Sequence, residues 1–204
     1  MALPELSPST APAAEAAGRQ RILDEAATLF VRQGFEATSL RHIASACGMQ
    51  AGSLYYHFAS KNDLLETVLA RGMSVMVEAF QAAEIATTGA DAHTRIGAHV
   101  RAHLAALFEN GPYTAAHVMT FRTAPPEVHN AIVAHRDGYE AMWTKLLQGL
   151  IDSGEIDSAT PVGLSRLTLF GSMNTTVEWF DLDRGNLDQL AEVITNQFLT
   201  GVTA

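Results

Sequence analysis

Between Ala37 and Leu65 the chain reads ATSLRHIASACGMQAGSLYYHFASKNDLL, two short amphipathic segments on either side of a glycine, and this stretch constrains the fold more than any other. Leu40, Ile43 and Ala44 repeat at i, i+3, i+4, the spacing of one helical face, with Thr38 or Ser39 ahead of them to cap the free N–H groups. Gly48 stops that helix, because a tight helix–helix turn needs a left-handed residue and glycine supplies it without a Cβ clash. A second helix, about Gln50 to His57, keeps Leu54 and Phe58 for the core and puts small Ala51, Gly52 and Ser53 at its start. Small residues there let the backbone approach base edges in a major groove about 12 Å wide. Hydroxyls, an imidazole and an ammonium, the groups that hold phosphate oxygens, cluster from Ser53 to Lys61. The pattern therefore predicts a helix-turn-helix that reads double-stranded DNA.

The run from Phe35 through GSLYYHFASKNDLL resembles the tetracycline-repressor (TetR) family of one-component bacterial regulators, and the likeness covers about Arg19 to Glu66. The resemblance implies that Ser53, Tyr55, His57 and Lys61 hold phosphates while Arg41, Ala51 and Gly52 lie at or near base edges; Ser39, Gln50 and Tyr56 complete the expected DNA-facing set. Two positions depart from the family pattern: Gln50 stands where a Ser or Thr cap is usual, and Cys47 where Ala is usual.

A net charge of −9 over 204 residues looks wrong for a DNA binder until its distribution is read. From Ala16 to Asn62 five Lys/Arg face three Asp/Glu, a local +2, whereas from Asp63 onward eight face seventeen, a local −9, and the N-terminal tail carries −2. The basic footprint is local, and acidic surface elsewhere discourages non-specific collapse onto DNA. With 48% hydrophobic residues the chain can bury one small and one larger core. The single Cys excludes an intrachain disulfide and gives no sign of an oxidising compartment, no apolar run approaches the roughly 20 residues of a membrane span, and the expected location is cytoplasmic.

Residues 1–18, rich in Ala, Pro and Ser, are expected to form a disordered arm and not a signal peptide. Residues 19–66 are expected to form an N-terminal helix-turn-helix, three-helix DNA-binding domain, and residues 67–204 a C-terminal helical ligand-binding and dimerisation domain, an all-α fold throughout. Ile22, Ala26, Leu29 and Phe30 share one face of a first helix ending near Gly34, and a long helix from about Lys61 to Ala86 links the two domains. Helices are predicted at Asp91–Glu109, Thr114–Thr123, Glu127–Ser153, Pro161–Leu182 and Leu187–Gly201, divided by Gly111-Pro112, Pro125-Pro126, Gly154 and Gly185-Asn186. Pro161 reads as an N1 proline after a Thr160 cap, and Asn186 as the cap of the last helix.

Leu164, Leu167, Phe170, Met173 and Val177 on one predicted helix, and Leu187, Leu190, Ile194 and Phe198 on the next, form apolar stripes that predict a homodimer through a four-helix bundle. The adaptable side chains Met73, Met76, Phe80, Phe108, Met119, Phe121, Tyr139, Met142, Trp143, Phe170 and Met173 suit an effector pocket, with His103 and Asn174 as polar anchors. The stretch LFGSMNTTVEWF, Leu169 to Phe180, is similar to the C-terminal helix of TetR-type regulators that respond to acyl-CoA or related lipid thioesters. His99 and His103 stand four apart, but no third ligand has a telling spacing to join them, with His93 and His117 the nearest candidates, so no metal and no cofactor is expected. Cys47 reads as a small buried residue. No nucleophile elbow, phosphate loop or HExxH occurs, so no catalytic residue is assigned.

The expectation is a dimeric repressor, not an enzyme, released from a palindromic operator by a small apolar effector of fatty-acyl, steroid-fragment or aromatic type or its CoA thioester. The alternative is a helical dimeric DNA-binding protein controlled by a partner protein or by no effector at all, which a closed, fully packed second domain would favour.

Overall fold

The computed structural model describes residues 11–202, which form nine α-helices and no strand. The first helix, α1, spans Ala11–Ala37, with a non-helical break at Gly34 (φ 80°, ψ 163°), where the predicted helix end lay. Its start corrects the expected arm. Residues 1–10 of that arm lie outside the described residues, but Ala11 to Gly18 are helical, as alanine's high helix propensity favours.

Helices α2 (Leu40–Ala46) and α3 (Ala51–His57) flank Gly48, whose φ of 66° makes the left-handed turn. Of the two possible caps, Ser39 does the work: its side chain accepts from His42 N at 3.2 Å, while buried Thr38 donates to Gly34 O at 2.8 Å. Gln50 makes no side-chain cap bond at α3, the expected consequence of its departure from the family pattern. Ile22, Ala26, Phe30, Ile43, Leu54, Phe58, Leu64 and Leu65 are buried together, so α1 covers the helix-turn-helix and the start of α4 (Lys61–Ala86). A reciprocal cap begins α4: Ser60 Oγ accepts from Asp63 N at 3.0 Å, and Asp63 Oδ2 accepts from Ala59 N at 2.9 Å.

Beyond this unit α4 packs against α5 (Ala92–Phe108), α6 (Tyr113–Thr120) and α7 (Pro126–Asp152). At Gly72 the α4 and α6 backbones approach so closely that a Cβ would stand 2.5 Å from Tyr113 O. A 3-10 turn, Phe121–Thr123, follows α6. Helix α8 spans only Val162–Asn174 and passes into a 3-10 turn over Thr175–Glu178, so the helix expected to reach Leu182 ends eight residues early. Pro161 occupies the cap position with no side-chain bond, not N1. Asn186 does cap α9 (Leu187–Thr200), accepting from Asp188 N and Gln189 N at 2.8 and 3.0 Å.

The dimer stripes need a second correction. Helix α9 lies along α5, and Phe170, Met173, Leu187 and Ile194 are buried within the single chain, with Val177, Leu190 and Phe198 packed partly against the same core. What remains outside is narrower: Leu164 at 66% exposure and Leu167 at 54% on α8, and Val193 at 46% on α9.

Candidate functional site

The helix-turn-helix presents one outward face. Burial of Leu54 and Phe58 fixes the rotation of α3, and with it Gly52, Ser53, Tyr55 and Tyr56 turn out to solvent, the two tyrosines at 60% and 73% exposure. Ser39, Arg41 and Gln50 are exposed on the same motif; Ala51 and His57 are half-buried, His57 edge-on to Tyr56 with 5.3 Å between centroids and close to α1 at Gly18. Arg19, outside the expected DNA-facing set, lies above the Phe58 ring at 4.8 Å.

Lys61 departs from its expected role. Its Nζ donates to Phe35 O at 3.0 Å and Thr38 O at 3.1 Å and sits 3.9 Å from the Phe35 ring centroid, so it ties the start of α4 to the α1–α2 junction instead of projecting toward a phosphate. Removing it leaves two carbonyls without a charged donor. Lys61→Ala is therefore expected to lower stability by about 1–3 kcal/mol in urea titrations while leaving the salt slope of DNA binding unchanged. Unchanged stability with a reduced slope would restore the phosphate assignment. Cys47 is buried, with Sγ 3.8 Å from Arg21 O, and burial raises its thiol pKa, in keeping with a packing role.

In the C-terminal half a cavity of about 570 Å³ opens between α4, α5, α6, α7 and α8. Met73, Met76, His103, Met119, Tyr139, Phe170 and Asn174, seven of the thirteen residues expected to suit the pocket, line it. The others do not. Trp143 and Met173 are fully buried; Phe80 and Met142 border a separate recess beside Glu84 and Arg95; Phe121 is stacked between His117 and His129; Phe108 lines a smaller adjoining pouch. Residues the sequence reading did not assign to the pocket also face it, among them His117, Arg122, Arg136, Glu140 and Glu178. Arg136, Tyr139 and Glu140 stand at i, i+3, i+4 on α7, a one-face spacing that could have been read beforehand.

The inner wall carries a closed polar network. His103 Nε2 donates to Asn174 Oδ1 at 2.9 Å, which leaves Nδ1 to accept from the Tyr139 hydroxyl at 2.9 Å. Burial lowers the His103 pKa to about 4 and raises that of Tyr139, so both are neutral near pH 7. Asn174 Nδ2 makes no hydrogen bond among the described residues, so a donor is left for a ligand to meet. With both ring nitrogens of His103 engaged, and no group of three His, Cys, Asp or Glu poised around an ion among the described residues, the His99/His103 pair is not arranged as a metal centre.

The charged groups are unevenly paired. Glu140 bridges Arg166 at 2.8 Å and Arg136 at 3.3 Å; Arg136 also lies over the Phe121 ring at 4.4 Å; Arg122 makes no ion pair among the described residues. Glu140 is thus shared by two guanidiniums, so Arg136 is only half compensated and Arg122 carries no ion pair among the described residues; both can draw an anionic ligand group, with Glu178 the other carboxylate on the lining.

Helix α6 joins this cavity to the helix-turn-helix unit. Its His117 lines the cavity and also bonds Leu69 O through Nδ1 at 3.3 Å, and Thr114 donates to Gly72 O at 3.3 Å, both on α4. At its start Tyr113 donates to Asp24 on α1 at 2.5 Å and accepts from Gln20 at 2.8 Å.

Residues 22–68 match the family of bacterial regulatory proteins described as the tetR family, and residues 89–202 match a tetracyclin repressor-like C-terminal domain. The HTH-type transcriptional repressor KstR2 of Rhodococcus jostii (strain RHA1) is 27% identical over 170 residues, 79% of each chain. The fatty acid metabolism regulator protein of Bacillus subtilis (strain 168) is 23% identical over 171 residues, covering 84% of this chain and 87% of that protein. The crystal structure of AibR in complex with isovaleryl coenzyme A and operator DNA superposes with a TM-score of 0.79 at 22% identity, covering 88% of this chain and 97% of that one.

Proposed function

The chain belongs to the TetR family of transcriptional regulators, and on that footing we propose that it is a dimeric repressor whose operator complex is dissolved by an acyl ligand, free or as a CoA thioester, bound in the 570 Å³ cavity. Residues 19–66 are the DNA-binding unit and 67–204 the effector and dimerisation unit. Arg41 and the start of α3 read bases, while Ser53, Tyr55 and His57 hold phosphates. One observation carries the effector part: α6 forms a wall of the cavity and is bonded to both α1 and α4. A ligand that displaces α6 therefore moves the helices that set the spacing of the two reading heads. The ligand chemistry follows from the lining, apolar at Met73, Met76 and Phe170, with a donor at Asn174 for a carbonyl oxygen and two guanidiniums for an anion. The name of the fatty acid regulator and the isovaleryl coenzyme A held by AibR point in the same direction. Titrating acyl-CoAs into the protein–operator complex tests the reading. A series that leaves the complex intact would favour control by a partner protein.

The proposed dimer uses the face that the single chain leaves uncovered, Leu164 and Leu167 on α8 with Val193 on α9. The double variant Leu164→Asp/Leu167→Asp places carboxylates in that apolar interface at a cost of several kcal/mol, so sedimentation is expected to show monomers at concentrations where the parent is dimeric. Operator affinity should fall with it, since each monomer reaches one half-site. A variant that stays dimeric would move the interface elsewhere.

A further inference from the structure

Beside the main cavity lies a second compartment of about 340 Å³ with no polar side chain in its wall. Val31 reaches it from α1, Leu107 and Phe108 from α5, Ala115 and Met119 from α6, and Val177 from the 3-10 turn after α8. Met119 and Val177 line the main cavity too, so the compartments share these two side chains as a common wall. The polar groups are all on one side of it. The main cavity holds the His103–Tyr139–Asn174 network and the arginines; the pouch offers neither a side-chain donor nor a charge to hold an ion in place.

We infer that the two compartments hold one ligand, its carbonyl and anionic end in the main cavity and an unbranched alkyl tail passing between Met119 and Val177 into the pouch, where its end touches Val31 of α1. The inference rests on the acyl reading above and names what that site selects, a straight chain of sufficient length. Methionine is unbranched and flexible enough to swing aside for a thin chain, whereas a fused ring system is far wider than the space one such side chain vacates. The pouch is also where the effector domain meets the DNA-binding unit, since Val31 shares a helix with Asp24, the acceptor of the Tyr113 bond. Short acyl groups fill the main cavity and leave α1 alone. Long ones press α1 and α6 apart, so operator release has a chain-length threshold that ligand binding itself lacks.

The test uses the full chain and saturated n-acyl-CoAs from butanoyl to palmitoyl, with affinity read by calorimetry and release read on labelled operator DNA. Each methylene buried is expected to add about fourfold in affinity. In the parent this gain continues into the long chains. Ala115→Phe fills the pouch from α6 and Val31→Phe fills it from α1, so failure of one to fold, seen in its melting curve, leaves the other. Either is expected to keep short-chain affinity within about twofold while losing tenfold or more for the longest chains, together with their operator release. Superimposable chain-length profiles for parent and filled variants would overturn the pouch while leaving the acyl reading in place. If no member of the series binds the parent, the acyl reading falls and the pouch inference with it.

Discussion

Acidification from pH 6.5 to about 4.5 is expected to cost the fold about 4 kcal/mol through two buried histidines, His103 and His117. Burial lowers each from 6.5 to about 4, with the Arg136 charge adding to the effect at His117. The folded value lies below the unfolded one, so between the two the unfolded chain binds more protons. The stability is fully present above pH 6.5 and is lost as pH falls toward 4. The surroundings offer little relief: His103 faces the Tyr139 hydroxyl, Asn174 and the Phe170 ring; His117 faces Leu69 O, Phe121 and Arg136; and of the two carboxylates on the same cavity, Glu140 is held by two arginines, while neither it nor Glu178 pairs with either ring among the described residues. His99 is lowered by burial in the same direction. Urea titrations across this window should show stability rising with pH, and His117→Gln should remove about half of the slope. A flat profile would mean that these rings are not held neutral.

The helix-turn-helix was legible because its signals are local. The i, i+3, i+4 spacing of Leu40, Ile43 and Ala44, the turn at Gly48 and the paired Leu54 and Phe58 all act within one or two helical turns, and the structure uses each of them as read. The exchange of roles at Lys61 was not local: Phe35 and Thr38 carbonyls, over twenty residues away, capture its ammonium. The apolar stripes of α8 and α9 divide for a related reason, Leu164 and Leu167 staying outside while Phe170, Leu187 and Ile194 are covered within the chain. A stripe tells that a face is covered, not by what, and α5 covers Ile194 and Leu187 where a second chain was expected.

The early end of α8 shows a different limit. Val177, Trp179 and Phe180 continue an apolar pattern, but Thr175 donates back to Gly171 O at 2.9 Å and Thr176 to Met173 O at 2.5 Å, and the chain tightens into a 3-10 turn. That tightening brings Val177 to the wall between cavity and pouch. Six of the thirteen expected pocket residues missed the cavity because composition marks an adaptable interior without saying which side of a helix faces the void. Trp143, one turn beyond Tyr139, is sealed by Phe80 and Phe170.

The largest effect belongs to effector coupling. Taking an operator-competent population from about 99:1 to 1:99 requires a ligand preference of about 10⁴, or about 5.5 kcal/mol, between the two states. Coupling of two binding equilibria is reciprocal, so operator DNA must weaken the ligand by the same factor by which the ligand weakens the operator. Dodecanoyl-CoA affinity, measured by calorimetry with and without an operator duplex selected from random DNA, is set against operator affinity measured by anisotropy with and without dodecanoyl-CoA. The expected result is two equal weakening factors of about 10⁴, with both reduced toward one when Ala115→Phe blocks the pouch. Tight binding of dodecanoyl-CoA with both factors near one would contradict effector release through α6, leaving the cavity a binding site uncoupled from DNA.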